Sequence, residues 1–276
     1  MTSAPDAAAG QILGATAGAR SARHVVARRQ AGCGSSSPLV VRVRLHANAV
    51  HVSNHLRPWL PPLIAFSANS PFREGQDTGY ASWRTTTWGR WPVAGPPPYF
   101  ESPAHFDDLV ETLIDAEALI DRGGLYWDIR PSHHLPTIEV RVADAALTPD
   151  DTLMLAAVVR ALTATALQCI RAGEPAPRPA PEVLRAACWR AARNGLAGTG
   201  IDPLTGHLIT QTTLVEKLLH TIAPALRQHD DLDHTREQWQ RLRPEGTGAD
   251  RQRAAYRQRS STHDVVDYLI SATCPQ

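Results

Sequence analysis

Between Thr137 and Val142 the chain reads Thr-Ile-Glu-Val-Arg-Val, a strict alternation of polar and apolar residues. Side chains alternate across a strand, so Ile138, Val140 and Val142 fall on one face and Thr137, Glu139 and Arg141 on the other. A helix would scatter both sets around its circumference; the pattern therefore predicts a strand with one face in a core. The polar face carries a carboxylate and a guanidinium two residues apart. Such a pair can hold a metal ion and a phosphate side by side, and the plainer reading is a solvated outer face. Upstream, Leu125 to Ile129 has the content of a partner strand, joined through the turn Pro131 to Pro136.

Around this pair the chain turns helical. Val52 to Ser67 predicts a helix that Pro58, Pro61 and Pro62 kink or divide. Ser67 to Pro98 is rich in Gly, Pro, Ser, Thr and Trp, and reads as a long ordered loop with Tyr80, Trp83, Trp88 and Trp91 in it. Phe106 to Arg122 predicts an amphipathic helix ended by Gly123 and Gly124. Asp150 or Asp151 can cap an apolar helix running to Ile170; its Arg160, Gln168 and threonines favour a buried core helix over a membrane span. Pro181 and Gly195 bracket the next helix, and Thr213 with Glu216 reads as a capping box for one that contains Pro224. Shorter helices from Asp233, Ala249 and Ser261 close the chain.

Charge and cysteine content exclude more than they assign. The 276 residues carry a net charge of +1, which gives no general case for nucleic acid or an anionic membrane. Residues 1–50 hold six arginines against one acid, Asp6, and lack periodic apolar faces apart from Pro38 to Leu45. The arginines at 251, 253, 257 and 259 are offset by nearby acids, so a solvated helix face is the reading there. The four cysteines are scattered without metal-ligand spacing, and a reducing cytoplasm is the default compartment. His51 and His55 stand four apart without the glutamate of a zincin, His133 and His134 sit in a turn, and GTGADRQR (246–253) lacks P-loop spacing and lysine.

Two long motifs are more specific. SANSPFREGQDTGYASWRTTTWGRWP (67–92), followed by YWDIRPSHHLPTIEVRVAD (126–144), resembles the carboxylate-amine ligase branch of the glutamate–cysteine ligase type 2 family. The likeness runs from about His51 to the C-terminus and includes WRAARNGL (189–196) and GTGADRQR. It implies an α+β fold with an antiparallel sheet of the glutamine synthetase/glutamate–cysteine ligase type, incomplete here, and a mainly helical C-terminal half. It also implies ATP- and Mg2+-dependent joining of the γ-carboxylate of glutamate to the amine of cysteine, or a related amine, through an acyl phosphate, as in glutathione-type thiol biosynthesis. The rival reading is a non-catalytic remnant of that family.

The resemblance assigns roles residue by residue. Glu139 matches the family's metal-binding glutamate and Arg141 the arginine that contacts nucleotide phosphate. Arg84 is a candidate clamp for the substrate carboxylate, because a guanidinium fork fits two oxygens. Arg130 is a second cationic candidate for catalysis, and Asn69 and Ser70 are candidate substrate contacts. The family's Glu-rich opening strand and its Cys-Gly-x-His-x-His-Val segment have no intact counterpart. A truncated or frame-disrupted member is therefore expected, with residues 1–45 a non-native or disordered leader and 46–276 a partial catalytic domain. One carboxylate does not make a magnesium cluster, so little turnover is expected.

Overall fold

The computed structural model describes residues 25–27, 39–43, 46–132 and 135–273, with only the backbone at 25–27, 46 and 47. The alternation at 137–142 becomes the heart of a four-stranded antiparallel sheet. Its strands are β1 (Val25–Ala27), β2 (Leu39–Arg42), β8 (Thr137–Val140) and β7 (Ile129–Pro131), in that order across the sheet. Ile138 and Val140 are buried together with Leu39, Val41 and Ile129 on one face, as a period of two requires. Arg130 lies opposite Glu139 on the other face.

The helices that cover the core face follow local rules. α1 (His46–Leu56) and α2 (Leu60–Ser67) are divided by a 3-10 turn over Arg57–Trp59, where the prolines were expected to interrupt them. Pro61 and Pro62 fall in the first turn of α2, where a missing N–H breaks no helical hydrogen bond. The fold is pinned there by Asn54, whose amide donates to the Phe100 carbonyl at 2.7 Å and whose oxygen accepts from the Phe100 N–H at 3.0 Å.

Between α2 and the sheet run β3 (Phe72–Arg73), β4 (Gln76–Asp77), α3 (Trp83–Trp88), β5 (Ala94–Gly95), α4 (Pro103–Asp115) and β6 (Tyr126–Trp127). The expected long loop over 67–98 thus contains a hairpin and a helix. α3 starts because the Ser82 hydroxyl accepts from the Thr85 N–H. α4 is shorter than its apolar spacing predicts: Ser102 caps it, and Ile120 beyond its end is 98% exposed. The expected strand at 125–129 is split at Asp128: β6 pairs with β5 in parallel, and β7 pairs with β8.

α5 (Pro149–Arg171) is the one described helix long and apolar enough to cross a membrane, yet 56% of its apolar window is buried against the rest of the protein. It is started by a capping box between Thr148 and Asp151. α6 (Pro181–Asn194) ends at Gly195, whose φ of 57° favours glycine. The small hairpin β9 (Thr199–Ile201) and β10 (Leu208–Thr210) leads into α7 (Gln211–Gln228), capped by Thr210 and not by the expected Thr213. α8 (Leu232–Glu245), α9 (Gly248–Arg259) and α10 (Thr262–Thr273) complete the helical half. Within the first 45 residues, the alternating run Pro38 to Leu45 supplies β2, and its Leu39, Val41 and Val43 belong to the main core. Apolar alternation in so short a run gave it no visible partner until β8 supplied one. The remainder of the expected leader, apart from the backbone of β1, lies outside the described residues, as do His133 and His134.

Candidate active site

The polar face of β7 and β8 gathers the charged residues. Glu139 Oε2 lies 3.1 Å from Arg130 Nε and 3.9 Å from Arg141 Nε, so one carboxylate faces two guanidiniums. Arg130 Nη1 also donates to the carbonyls of Gly123, at 2.8 Å, and Leu125, at 2.9 Å. Arg141 Nη1 reaches the same Leu125 carbonyl at 3.4 Å. The accessible members are Glu139 and Arg130, with 20% and 12% of their side chains exposed. Arg141, at 2%, stands behind them.

Trp88 connects this cluster to Arg84. Both guanidiniums lie over its ring, Arg84 at 5.1 Å and Arg141 at 5.4 Å. The ring is oriented by its own N–H, which donates to the Tyr126 carbonyl at 2.8 Å. The fork of Arg84 is directed at main chain: Nη2 donates to the Arg141 carbonyl at 2.5 Å and Nη1 to the Val142 carbonyl at 3.4 Å. Arg84 thereby holds the end of the strand that carries Arg141. Its buried Nε makes no hydrogen bond among the described residues.

Two buried carboxylates balance this cation. Asp144 accepts from the Asn69 N–H at 2.7 Å and from the hydroxyls of Ser70 and Ser82, each at 2.8 Å. Burial pushes its carboxyl upward, while those donors and Arg84 pull it back. Asp128 sits where the chain passes from β6 to β7, its carbonyl accepting from the Arg141 N–H at 2.7 Å. Burial raises its carboxyl to about 6, with Arg84 opposing. Burial also lowers the guanidinium values of Arg84 and Arg141; for Arg141, the Arg130 charge adds to this and Glu139 opposes it. Both remain cations at neutral pH.

Asn69 and Ser70 belong to a braced turn. The Ser70 hydroxyl accepts from the Arg84 N–H at 3.0 Å, and Asn69 binds the Ala145 carbonyl at 2.8 Å and accepts from Gln252 at 2.6 Å. α9 can come this close because residue 248 is glycine. The structure thus brings Glu139, Arg130 and Arg141 into direct contact, links Arg84 to them through Trp88 and the Arg141 carbonyl, and sets Ser70 against the Arg84 N–H, with Asn69 joined to it through Asp144. Asp144 and Trp88 escaped sequence reasoning as site residues. An aspartate closing an apolar strand was the available signal for the first; the second was visible only as one aromatic among several.

Magnesium requires converging hard oxygen donors. Glu139 is one, but its carboxylate is already engaged by two guanidiniums. Among the described residues no three His, Cys, Asp or Glu side chains come together in a way that could hold a metal ion. The described residues do not complete a magnesium site.

The model of glutamate–cysteine ligase family 2 matches residues 30–267. A Frankia alni protein named for the glutamate–cysteine ligase 2 group is 47% identical over 249 residues, which is 90% of this chain and 64% of that protein. A Mycobacterium sp. (strain KMS) protein of the same group is 47% identical over 250 residues, 90% of this chain and 68% of its own length. The chain therefore spans about two thirds of the curated relatives it matches. A solved glutamate–cysteine ligase from Francisella tularensis, in complex with AMP, superposes with a TM-score of 0.57 over 82% of this chain and 58% of its own, at 14% identity, a likeness of fold. With a family match across most of its length and relatives this similar, the chain belongs to glutamate–cysteine ligase family 2.

Proposed function

We propose that the face formed by Arg130, Glu139 and Arg141 is the nucleotide-phosphate end of an ATP-dependent carboxylate-amine ligase. The observation that carries this reading is the meeting of two guanidiniums on one partly exposed carboxylate, with a third guanidinium sharing Trp88 behind them. Phosphoryl transfer rests mainly on positioning and on neutralising charge, and fixed cations provide both. Arg130 would meet a phosphate first, and Arg141 would add its charge from behind. The glutamate–cysteine ligase of similar fold from Francisella tularensis is in complex with AMP, which supports a nucleotide as the ligand proposed here.

In the reaction proposed, the γ-phosphoryl group passes to an oxygen of the glutamate γ-carboxylate and ADP departs. The nitrogen of cysteine, or of a related amine, then attacks the acyl carbon, inorganic phosphate leaves, and the surplus amine proton goes to solvent or a base. Asn69, Ser70 and Arg84 are the proposed substrate-side residues, with Arg84 acting through the strand it holds. Glu139 is the proposed donor to Mg2+, one member of a set the described residues do not complete. The cytoplasm, with its ATP and reduced thiols, is the proposed compartment.

The lone Glu139 favours a second reading for this chain by itself: nucleotide binding without turnover. A coupled assay of ADP release with glutamate, cysteine, ATP and magnesium separates the two. We expect little or no release from the pure chain. Robust magnesium-dependent release would show that other carboxylates, such as Asp128 or Glu74, complete the metal set.

A further inference from the structure

Trp91 is 53% exposed, and its ring is the outer end of a continuous aromatic contact that leads back to the site. Among the described residues its partner ring is Tyr126, with centroids 5.3 Å apart and planes inclined by 30°, which is close to an offset stack. Tyr126 is in turn met edge-on by Trp88 at 5.0 Å, the ring that lies under Arg141. An aromatic row thus runs from the surface at Trp91 to the guanidinium of Arg141. Its position is fixed from below, since the Tyr126 carbonyl holds the Trp88 N–H. The residue before Tyr126 is Leu125, whose carbonyl accepts from both Arg130 and Arg141. Adjacent Cα atoms are about 3.8 Å apart, so the aromatic row and the carbonyl that anchors both cations spring from neighbouring backbone positions.

Base on an aromatic face with phosphates on guanidiniums is the combination by which proteins bind nucleotides without reading hydrogen-bond patterns. We propose that Trp91, backed by Tyr126, is the stacking platform for the purine base of the nucleotide whose phosphates meet Arg130. This rests on the nucleotide reading above and adds a base-recognition residue to it. The neighbouring cations distinguish this occupant from an apolar protein surface, which would gain nothing from Arg130.

Calorimetry with ATP and with tripolyphosphate, at constant magnesium, tests it on the wild type, Trp91→Ala and Trp91→Phe. Stacking on one aromatic residue is worth roughly a ten-fold change in affinity. Trp91→Ala should therefore weaken ATP about ten-fold and leave tripolyphosphate unchanged, and Trp91→Phe should retain most of the ATP affinity. Equal ATP affinity in wild type and Trp91→Ala would overturn the platform while leaving the phosphate site standing. The same holds if wild type binds ATP no more tightly than tripolyphosphate. Sedimentation showing a dimer that Trp91→Ala dissociates would assign the ring to a second copy of the chain and also overturn it. If wild type binds neither probe, the nucleotide reading itself fails and the platform falls with it.

Discussion

At the scale of single residues, the site is organised by two buried aspartates and the arginine between them. Asp128 shows how. Its carboxyl rises from the ordinary 3.8 to about 6, because burial costs the charged form more than Arg84 returns. The folded state therefore holds this proton more tightly than the unfolded chain. By linkage, the contribution of Asp128 is most favourable below about pH 4, is lost as pH rises towards 6, and is a full penalty above that. Two pKa units correspond to roughly 3 kcal/mol. Asp128→Asn should accordingly raise the urea midpoint at pH 7.5 and change it little at pH 4. A lower midpoint for the variant at pH 7.5 would mean that pairing with Arg84 outweighs burial. Sequence patterning could not weigh Asp128: its environment depends on Arg84, which is distant in sequence, and on the switch of partners between β6 and β7.

At the scale of elements, local chemistry was legible and long-range approach was not. Pro181 and Gly195 bracket α6 as their backbone preferences dictate, and the alternation in β8 separates core from site. Caps shifted where a nearer side chain served better, as Thr210 does for α7. The start of α9 depends on a contact that no periodicity reveals. A Cβ at Gly248 would come within 1.9 Å of Asn69 Oδ1 and 2.4 Å of its Cγ. Asn69 cannot easily move aside, because Ala145 and Gln252 both hold it. Helix propensity alone would make Gly248→Ala favourable by about 1 kcal/mol. Overpacking of this kind costs about 1–3 kcal/mol, and displacing Asn69 would also strip two hydrogen bonds from the turn that carries Ser70. We expect a net loss of about 2 kcal/mol in urea unfolding; a stabilised variant would show that the turn yields freely.

At the scale of the whole molecule, a partner strand just upstream of β8 was expected at 125–129, and the structure has it at Ile129–Pro131. The α+β architecture followed from the sequence, and Glu139 and Arg141 share the face their spacing predicted. The extent of the core did not follow. Pro38 to Leu45 stood out as the one alternating run in its region, but that its apolar residues join the core depended on the pairing of β2 with β8. The 67–98 segment was expected to be ordered, but what orders it was hidden, because Asp144 draws Asn69, Ser70 and Ser82 together from a distance of 62–75 residues. These links make the site a property of the assembled sheet and of the segment packed across it. The claim that the sheet's polar face receives nucleotide phosphate is tested most directly by calorimetric titration of ATP–magnesium into the wild type, Arg130→Ala and Arg141→Ala. Hydrogen bonds to charged groups contribute about 1.5–3 kcal/mol, so removal of Arg130 should weaken binding at least ten-fold, and removal of Arg141 should weaken it measurably. Equal affinity in all three proteins would contradict the assignment.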